Sequence, residues 1–480
     1  MEMVKSFLLT GRELDESRHY ELCMLVREFL PLAEIITDDT APADLRLCWD
    51  GEAWLADTGN GYADREMSGE ASALAALGGD PFKNELKRSL YRLLARLTGM
   101  YMPWGILTGV RPTKLAWQAM TAGYTAERLI DALIREFYLE ESKARRMTEI
   151  ACREQQLLAD HLPTDISIYA GIPFCPTRCA YCSFVSYDYH RLGDLMDRYV
   201  DTLIAEIREC GRMMQGRRFK SFYMGGGTPT TLSPDAMDRV LSAVEEAFGE
   251  MSETTVEAGR PDTITSEKLR VLKRHGIGRI SVNPQTMNDA TLVRIGRRHS
   301  VEDILRAFAL ARDAGFDNIN MDLIMGLPGE TSADAAHTLE RIMVLAPESL
   351  TVHTLAVKRS SRIREQGFVS ETGPEEIRQM LRLADEAADA LGMKPYYMYR
   401  QKNMAGNFEN TGYAVPGKEC LYNIEIMEEK QSILAMGAGA VSKCYEPEKD
   451  RLTRVPNVKN VEEYLRRIDE MLERKRRRFV

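Results

Sequence analysis

The chain changes its pattern of apolar and polar positions near residue 160. The part before that point combines strand-like and helix-like patterns. Residues 45–58 are two apolar runs around Asp50-Gly51, which predicts a hairpin with a two-residue turn. Residues 84–98 repeat leucine with a helical period, which predicts an amphipathic helix. The other face of that helix carries four cations, Lys87, Arg88, Arg92 and Arg96. We therefore expect a small α+β domain over residues 1–160.

From about residue 166, short apolar runs alternate with helical stretches. The predicted strands are 166–172, 220–224, 255–258, 279–282, 318–324 and 349–357. Alternation of this kind predicts βαβ units and a parallel sheet. Six units predict an α/β fold with a partial (β/α)6 barrel over 161–372, in which chemistry is expected at the carboxyl ends of the strands. Residues 373–480 add a helix (374–391), an extended run (394–400) and a glycine-rich stretch (436–440), which predicts an α+β extension.

Composition excludes several classes of protein. The chain has 480 residues, 44% hydrophobic and 28% charged, which excludes a largely disordered or collagen-like chain. Its 63 basic and 72 acidic residues give a net charge of −9, which argues against nucleic-acid binding, and the basic tail 474–478 is interpreted as a solvated helix end. No apolar run approaches the roughly 18 residues of a membrane span, and a signal peptide is not expected. We expect a soluble, cytoplasmic protein without a membrane span.

Three of the nine cysteines, Cys175, Cys179 and Cys182, fall within eight residues directly after a predicted strand. Their spacing is C-x3-C-x2-C. Three thiolates on one loop can each bind one iron of a [4Fe–4S] cluster, which leaves the fourth iron open to a small chelating ligand. The alternatives are a zinc site, with His190 as the nearest further ligand, or buried structural thiols. Zinc usually takes four ligands, and no second cysteine pair has zinc spacing, so the cluster is favoured.

Glycine-rich and polar sequences accompany the next four predicted strands. Residues 225–229 read Gly-Gly-Gly-Thr-Pro after the second strand, Glu257 lies on the third, Gln285 follows the fourth, and Asp322 lies on the fifth. Glycines allow the backbone to approach a ligand closely, and buried polar side chains need partners. Two interpretations are open. The glycines can form a tight turn while the polar residues make hydrogen bonds between strands, or all of these positions can form a ring of groups that faces one ligand.

The cysteine spacing, with the aromatic Tyr181 before the third cysteine, resembles the radical S-adenosylmethionine (SAM) superfamily. The resemblance implies a radical SAM barrel in which the three cysteines bind a [4Fe–4S] cluster and the open iron binds SAM. It implies that an electron from the cluster cleaves SAM to methionine and a 5′-deoxyadenosyl radical. Gly226, Gly227 and Thr228 match the motif that contacts the SAM amino group in that superfamily.

Over about residues 165–445 the sequence resembles one branch, the oxygen-independent coproporphyrinogen III oxidase family. By motif, four residues match SAM-contacting positions: Glu257, Gln285, Arg297 and Asp322. The resemblance implies that Gln285 and Asp322 hold the ribose hydroxyls and that Arg297 holds the SAM carboxylate. Tyr169 matches a tyrosine near the cluster, and Tyr169 and Glu257 are the catalytic candidates. The stretches 409–423 and 436–441 also resemble the family; Cys420 is interpreted there as a small buried hydrophobe.

The resemblance is greatest to a long form of the family with an extra N-terminal domain, the coproporphyrinogen dehydrogenase type, of which residues 103–115 are typical. It implies decarboxylation of two propionates of coproporphyrinogen III to vinyl groups, giving protoporphyrinogen IX in haem biosynthesis. The implied partners are this tetrapyrrole and an electron donor such as flavodoxin or ferredoxin. Cations that could meet the substrate carboxylates are Arg298, Lys358, Arg359 and, more weakly, Arg111 and Lys114. The last two could instead pair with acidic residues of the barrel.

One position departs from the well-established oxidases of the family. They have a fourth cysteine two residues after the third cluster ligand, where this chain has Phe184. Haem chaperones of the family also carry phenylalanine there. A haem-binding chaperone therefore stays an alternative, as does a radical enzyme that opens or methylates haem. The additional N-terminal domain favours the decarboxylase, and Phe184 favours the chaperone.

Overall fold

A computed structural model describes residues 4–11, 14–31, 33–59, 63–67, 80–183, 187–189, 194–356, 372–401 and 408–479. The chain divides into two compact units. The first contains the residues up to Arg153 together with 398–401 and 408–409, and the second contains most of the chain from Glu154 onward. The three domains expected at 1–160, 161–372 and 373–480 stay a prediction.

The first unit is an α+β structure with a five-stranded sheet in the order β2-β1-β3-β4-β5. The pairs β1–β2 and β1–β3 are parallel, and β3, β4 and β5 form an antiparallel meander. The strands are β1 (Ser6–Gly11), β2 (Glu34–Ile36), β3 (Leu45–Trp49), β4 (Ala53–Asp57) and β5 (Ala63–Met67). The helices are α1 (Glu16–Phe29), α2 (Pro81–Thr98), α3 (Thr113–Thr121), α4 (Ala126–Phe137) and α5 (Glu141–Leu157). The predicted hairpin is confirmed as β3–β4, although residues 50–52 separate the strands, one more than predicted.

The prediction for the polar face of α2 is wrong at one position. Lys87 is only 4% exposed. Its Nζ donates hydrogen bonds to Glu21 Oε2 at 3.2 Å and to Thr108 Oγ1 at 2.8 Å. A buried ammonium group needs a charged or polar partner, and Glu21 on α1 provides one for Lys87. The helical period of α2 cannot show this contact, because Glu21 lies on another helix.

The second unit is built on an eleven-stranded sheet in the order β14-β15-β13-β12-β11-β10-β9-β6-β16-β17-β18. The strands are β6 (Ile166–Ile172), β7 (Phe174–Cys175), β8 (Tyr187–Asp188), β9 (Phe219–Gly226), β10 (Glu253–Gly259), β11 (Arg279–Val282), β12 (Ile319–Met325), β13 (Ser349–Thr354), β14 (Lys394–Tyr399), β15 (Asn410–Ala414), β16 (Ser432–Met436), β17 (Val441–Glu446) and β18 (Arg451–Pro456). The short strands β7 and β8 pair separately. This sheet carries both the predicted barrel strands and those of the C-terminal extension.

Ten helices belong to the same unit in the described ranges: α6 (Leu195–Met213), α7 (Pro234–Phe248), α8 (Ser266–Arg274), α9 (Asp289–Arg294), α10 (Val301–Asp313), α11 (Ser332–Leu345), α12 (Pro374–Ala390), α13 (Leu421–Glu428), α14 (Val461–Arg466) and α15 (Ile468–Phe479). Local signals account for their bounds. Ser233 caps α7 ahead of a proline at its first turn, and Ser300 and Asp303 form a capping box at α10. Within the described ranges, none of the helices is long and apolar enough to cross a membrane.

The predicted partial barrel is confirmed. All six predicted strands are present, and β6, β9, β10, β11, β12 and β13 run parallel in that spatial order. A seventh parallel strand, β16, lies beside β6 and was not predicted. As far as the chain is described, the end strands β14 and β18 are not hydrogen-bonded to each other. Parallel strands with helical connections place their carboxyl ends, and the loops that follow, at one edge.

Candidate functional site

The cysteine loop leaves the carboxyl end of β6 through the two-residue strand β7. Cys175 ends β7, and Cys179 and Cys182 follow on the loop. Cys179 is 8% exposed, whereas Cys175 and Cys182 are half-buried. The amide of Cys182 donates to the Cys179 carbonyl at 3.1 Å, which closes a turn between these two thiols. Burial raises the pKa of the Cys175 thiol to about 11.

The glycine-rich loop after β9 is fastened to the start of the cysteine loop. The amides of Gly227 and Thr228 donate to the carbonyls of Ile172 and Phe174, both at 2.7 Å. A Cβ atom on Gly227 would lie 2.5 Å from the Phe174 carbonyl oxygen, so only glycine fits. Gly226 has φ of 110°, and its amide faces the carboxylate of Glu257 at 3.2 Å. The structure thus brings together the predicted glycine motif and the predicted cysteine ligands.

Glu257 lies on β10 beside the glycine loop. Its Oε1 accepts a hydrogen bond of 2.5 Å from the hydroxyl of Tyr223, on β9. Burial raises the pKa of Glu257 to about 7, and the nearby Asp322 carboxylate also raises it, while the bonds from Tyr223 and Gly226 oppose the rise. A carboxyl group with a pKa near neutrality can hold a cation in one state and a proton in another.

Three tyrosine rings are stacked next to this carboxylate. Tyr169 on β6 and Tyr223 on β9 are register partners, with ring centroids 6.3 Å apart and planes at 13°. Tyr422, on α13, stacks on Tyr223 at 4.5 Å and 20°, and on Tyr169 at 6.0 Å and 18°. Sequence reasoning identified only Tyr169. The two-residue period of β9 could have suggested Tyr223. The sequence around Tyr422 gives no sign that its helix packs against β6 and β9.

Gln285 follows β11 and adjoins Asp322, which lies in the middle of β12. The amide of Gln285 donates to the Asp322 carbonyl at 2.9 Å. Gln285 has φ of 70°, a left-handed conformation that non-glycine residues rarely adopt and that is often found at functional sites. Burial alone would raise the pKa of Asp322, but His353, whose Nε2 lies 3.8 Å from Oδ2, and a hydrogen bond of 2.7 Å from Asn320 hold that pKa below its usual value. Asp322 therefore stays ionised inside the site.

Arg297 reaches the cysteine loop from the segment after α9. It is 7% exposed, and its guanidinium donates to the Asn283 carbonyl at 2.5 Å and to the Tyr181 hydroxyl at 3.0 Å. Burial alone would lower the pKa of Arg297, but Tyr181 and Cys179 beside it raise that pKa. The predicted SAM-contacting arginine is therefore next to the predicted cluster ligands.

The remaining candidate residues lie in different surroundings. Arg298 is exposed, while His299 is buried with Nδ1 3.6 Å from Asp262 Oδ1. Arg111 and Lys114 lie half-buried in the first unit. Cys420 is fully buried, as expected for a small buried hydrophobe, but its Sγ also donates to Glu253 Oε1 at 3.3 Å, a polar contact that was not predicted. Four residues named above lie outside the described part of the chain: Phe184, His190, Lys358 and Arg359.

The residues at this edge fit the two cofactors that the resemblance implies. Within the described residues, no three His, Cys, Asp or Glu side chains converge on a point that suits one metal ion. The thiolates of a [4Fe–4S] cluster bind different irons and need no such convergence. Three buried polar atoms at the site lack a hydrogen-bond partner among the described residues: Ser281 Oγ, Asn283 Oδ1 and Arg297 Nε. A polar ligand such as SAM would satisfy groups of this kind.

Comparison with known proteins agrees with this chemistry. A sequence model of the radical SAM superfamily matches residues 169–342. The oxygen-independent coproporphyrinogen-III oxidase-like protein HemZ of Bacillus subtilis (strain 168) is 41% identical over 401 residues, 82% of this chain and 80% of that protein. The heme chaperone HemW of the same organism is 30% identical over 280 residues, 57% of this chain and 70% of the chaperone.

The fold is similar to that of a solved structure, the coproporphyrinogen III oxidase HemN from Escherichia coli, with a TM-score of 0.53. The two are 24% identical, and the match covers 66% of this chain and 72% of the other. The cofactors of the superfamily are a [4Fe–4S] cluster and SAM, to which the cysteine loop and the polar groups around it are suited. The chain belongs to the radical SAM superfamily and, within it, to the family of the oxygen-independent coproporphyrinogen-III oxidase-like protein HemZ.

Proposed function

We propose that the protein is a radical SAM enzyme that oxidatively decarboxylates two propionate side chains of coproporphyrinogen III to vinyl groups, giving protoporphyrinogen IX. The observation that carries the chemistry is the meeting of three loop cysteines with Glu257, Gln285, Arg297 and Asp322 at one edge of the sheet. The tetrapyrrole is supported by the relatives, whose names refer to coproporphyrinogen III or haem.

The cofactors would be held by separate groups of residues. Cys175, Cys179 and Cys182 would bind three irons of the cluster. Gly226, Gly227, Thr228 and Tyr181 would contact SAM through the backbone and the ring edge, Gln285 and Asp322 would hold its ribose hydroxyls, and Arg297 its carboxylate. When bound, the reduced cluster and SAM supply a 5′-deoxyadenosyl radical, which takes a hydrogen atom from the β-carbon of a propionate.

The protein's own contribution would be charge placement and exclusion of water. Glu257 and Asp322 would place carboxylates near the ammonium and sulfonium groups of SAM, and the hydrogen bond from Tyr223 would hold the Glu257 side chain in place. Tyr169, adjacent to Glu257, would form the wall of the chamber in which the radical reacts. The side chains that partly cover these groups would limit the access of competing water to a reactive species.

Each decarboxylation removes one carbon dioxide, one proton and two electrons from a propionate carboxylate and leaves a vinyl group. One electron leaves with the hydrogen atom taken by the radical, so a one-electron acceptor must take the other. A one-electron donor, such as flavodoxin or ferredoxin, must first reduce the cluster. Arg298, Lys358, Arg359, Arg111 and Lys114 stay candidates for contacts with the remaining carboxylates.

The test is anaerobic reconstitution of the cluster, followed by dithionite, SAM and coproporphyrinogen III, with the tetrapyrrole mass followed over time. Loss of one and then two carboxyl groups, matched by 5′-deoxyadenosine, is expected. A Cys179→Ala variant should give neither product. SAM cleavage with unchanged coproporphyrinogen would contradict the decarboxylase.

A haem-binding chaperone is the second candidate, because HemW proteins are among the relatives and because this chain has Phe184 where established oxidases have a fourth cysteine. Haem titration followed by its absorbance distinguishes the two. Stable stoichiometric haem binding without a vinyl product would favour the chaperone, whereas vinyl formation without retained haem would favour the enzyme.

A further inference from the structure

The three loop thiols have different electrostatic surroundings. The Nη1 atom of Arg260 donates to the Cys179 sulfur at 3.7 Å and to Thr177 Oγ1 at 2.9 Å. The Cys175 sulfur instead faces the neutral hydroxyl of Thr228 at 3.5 Å. Arg260 is itself only 4% exposed. A buried guanidinium charge therefore lies on the Cys179 side of the loop.

Asp262 fixes this guanidinium in place. Its Oδ1 accepts from Arg260 Nε at 2.9 Å, and its Oδ2 accepts from Nη2 at 2.7 Å. This two-pronged contact uses one edge of the planar group and leaves Nη1 directed at the cysteine loop. Arg297 also adjoins Cys179, but it is the predicted partner of the SAM carboxylate. Arg260 is engaged by a carboxylate of this chain, so its position does not depend on SAM.

We propose that Arg260, held by Asp262, is a positioning residue that raises the reduction potential of the cluster bound at Cys175, Cys179 and Cys182. The inference rests on the proposed function, which assigns the cluster to these residues. Reduction adds one negative charge to the cluster, and a nearby cation stabilises the reduced state more than the oxidised state. A hydrogen bond to a ligating sulfur acts in the same direction, because it withdraws electron density from the iron.

Two substitutions should shift the potential in opposite directions. Arg260→Met removes the cation and should lower the midpoint potential, with the reduced-to-oxidised ratio at a fixed potential falling about tenfold, or 59 mV for one electron. Asp262→Asn removes the balancing negative charge and should raise the potential. Arg260→Lys keeps the positive charge but loses the paired hydrogen bonds of the guanidinium to Asp262. The midpoint potential of this variant should therefore lie between those of wild type and Arg260→Met.

The measurement is an anaerobic, dye-mediated redox titration of the reconstituted proteins, followed by the electron paramagnetic resonance signal of the reduced cluster. Arg270→Met is the matched control, because Arg270 is an exposed arginine on α8. Its potential should equal that of wild type. A merely structural role for Arg260 would not give shifts of opposite sign in the Arg260→Met and Asp262→Asn variants.

The outcomes separate this inference from the proposed function. A wild-type protein that takes up no iron overturns both. Full iron content with one common potential in all variants overturns the inference alone. If Arg260→Met does not retain iron, the other two variants decide: a raised potential in Asp262→Asn with a lowered one in Arg260→Lys supports the inference, and unchanged values overturn it.

Discussion

The hydroxyl of Tyr223 and the carboxylate of Glu257 are joined by a hydrogen bond of 2.5 Å between neighbouring strands. Both residues are half-buried, and the same carboxylate also accepts a hydrogen bond from the amide of Gly226 at 3.2 Å. The protonation of Glu257, the rotamer of Tyr223 and the shape of the glycine loop are therefore linked. Two of the predictions below follow from this linkage.

Tyr223→Phe should weaken SAM binding at pH 7. The phenol bond lowers the pKa of Glu257, so its loss raises that pKa above about 7 and leaves less of the carboxylate ionised. A hydrogen bond to a charged group contributes about 1.5 kcal/mol at least, which corresponds to roughly a tenfold increase in Kd. Isothermal titration calorimetry of the reconstituted, oxidised protein at pH 7 and pH 9 checks this, and the deficit should shrink at pH 9.

The control for that experiment is Tyr445→Phe. Tyr445 also donates to a carboxylate, Asp450 Oδ1 at 2.9 Å, but lies on β17 away from the cysteine loop. Its removal should leave the affinity for SAM unchanged. Equal SAM affinities in wild type and Tyr223→Phe at pH 7 would exclude the role assigned to the phenol.

Glu257→Gln should stabilise the cofactor-free protein at pH 8 more than at pH 5. The pKa of Glu257 is raised from 4.5 to about 7 in the folded state. The folded state therefore keeps a proton between these values that the unfolded state has released, and the unfolding free energy falls as pH rises through this window. Above pH 7 this ionisation lowers the unfolding free energy by on the order of 3 kcal/mol. A glutamine does not titrate, so the variant avoids this loss.

Urea unfolding at the two pH values measures this difference. Glu250→Gln serves as the control, because Glu250 is exposed. Its stability should follow that of wild type to within about 0.5 kcal/mol at both pH values. The prediction fails if the difference in unfolding free energy between Glu257→Gln and wild type is the same at pH 5 and at pH 8, or is zero at both.

Gly227→Ala should impair the cysteine loop. The added methyl group would meet the carbonyl oxygens of Phe174 at 2.5 Å and Ile172 at 2.9 Å, which are backbone atoms that cannot turn away. Overpacking of this kind costs about 1–3 kcal/mol and would break the bonds that align the two loops. We expect a lower thermal midpoint and less than half of the wild-type iron content after reconstitution.

Gly373→Ala is the matched control, because a Cβ atom there meets nothing within 4 Å. It should retain wild-type iron content and thermal stability. Normal iron loading in Gly227→Ala would mean that the contact between the glycine loop and the cysteine loop is not required for cluster assembly.

Lys475→Met should destabilise the second unit. The interpretation of the basic tail 474–478 as solvated is wrong for Lys475: Lys475 and Glu206 are both fully buried, and Nζ lies 2.6 Å from Oε1. Glu206 also accepts the amide of Gly437 at 2.8 Å, so it holds the glycine-rich segment that follows β16. Removing one member of a buried ion pair leaves an uncompensated charge and costs about 3–5 kcal/mol.

Urea unfolding of Lys475→Met, of Glu206→Gln and of the double variant forms the test. The double variant should recover part of the loss, because neither charge is then left alone. Arg208 lies on α6, the helix that carries Glu206, and Arg208→Met, which breaks an exposed pair with Glu246 on α7, should cost less than about 1 kcal/mol. Additive losses in the double variant would show that the two charges do not interact.

Local patterns predicted much of the barrel, because a strand or helix of a βαβ unit is encoded by its own apolar positions. The strands Ile166–Ile172 and Arg279–Val282 have the predicted bounds. The three cysteines were inferred from their spacing and the SAM-contacting candidates from the family resemblance, and the structure places these residues near one another, while their roles stay a prediction. What sequence reasoning missed depends on distant residues: β16 pairs with β6, Tyr422 joins the tyrosine stack, and Lys87 is buried by its contact with Glu21.

The neighbour of β6 in the sheet comes from far along the chain. Ala170, just before the cysteine loop, pairs with Met436, and the two are 266 residues apart. At about 5–20 residues per second, a ribosome needs roughly 13–53 s to synthesise that interval. Until β16 emerges, the strand that leads to the cysteines has one unpaired edge, which is a site for aggregation. Slow translation therefore prolongs the period in which this edge needs protection.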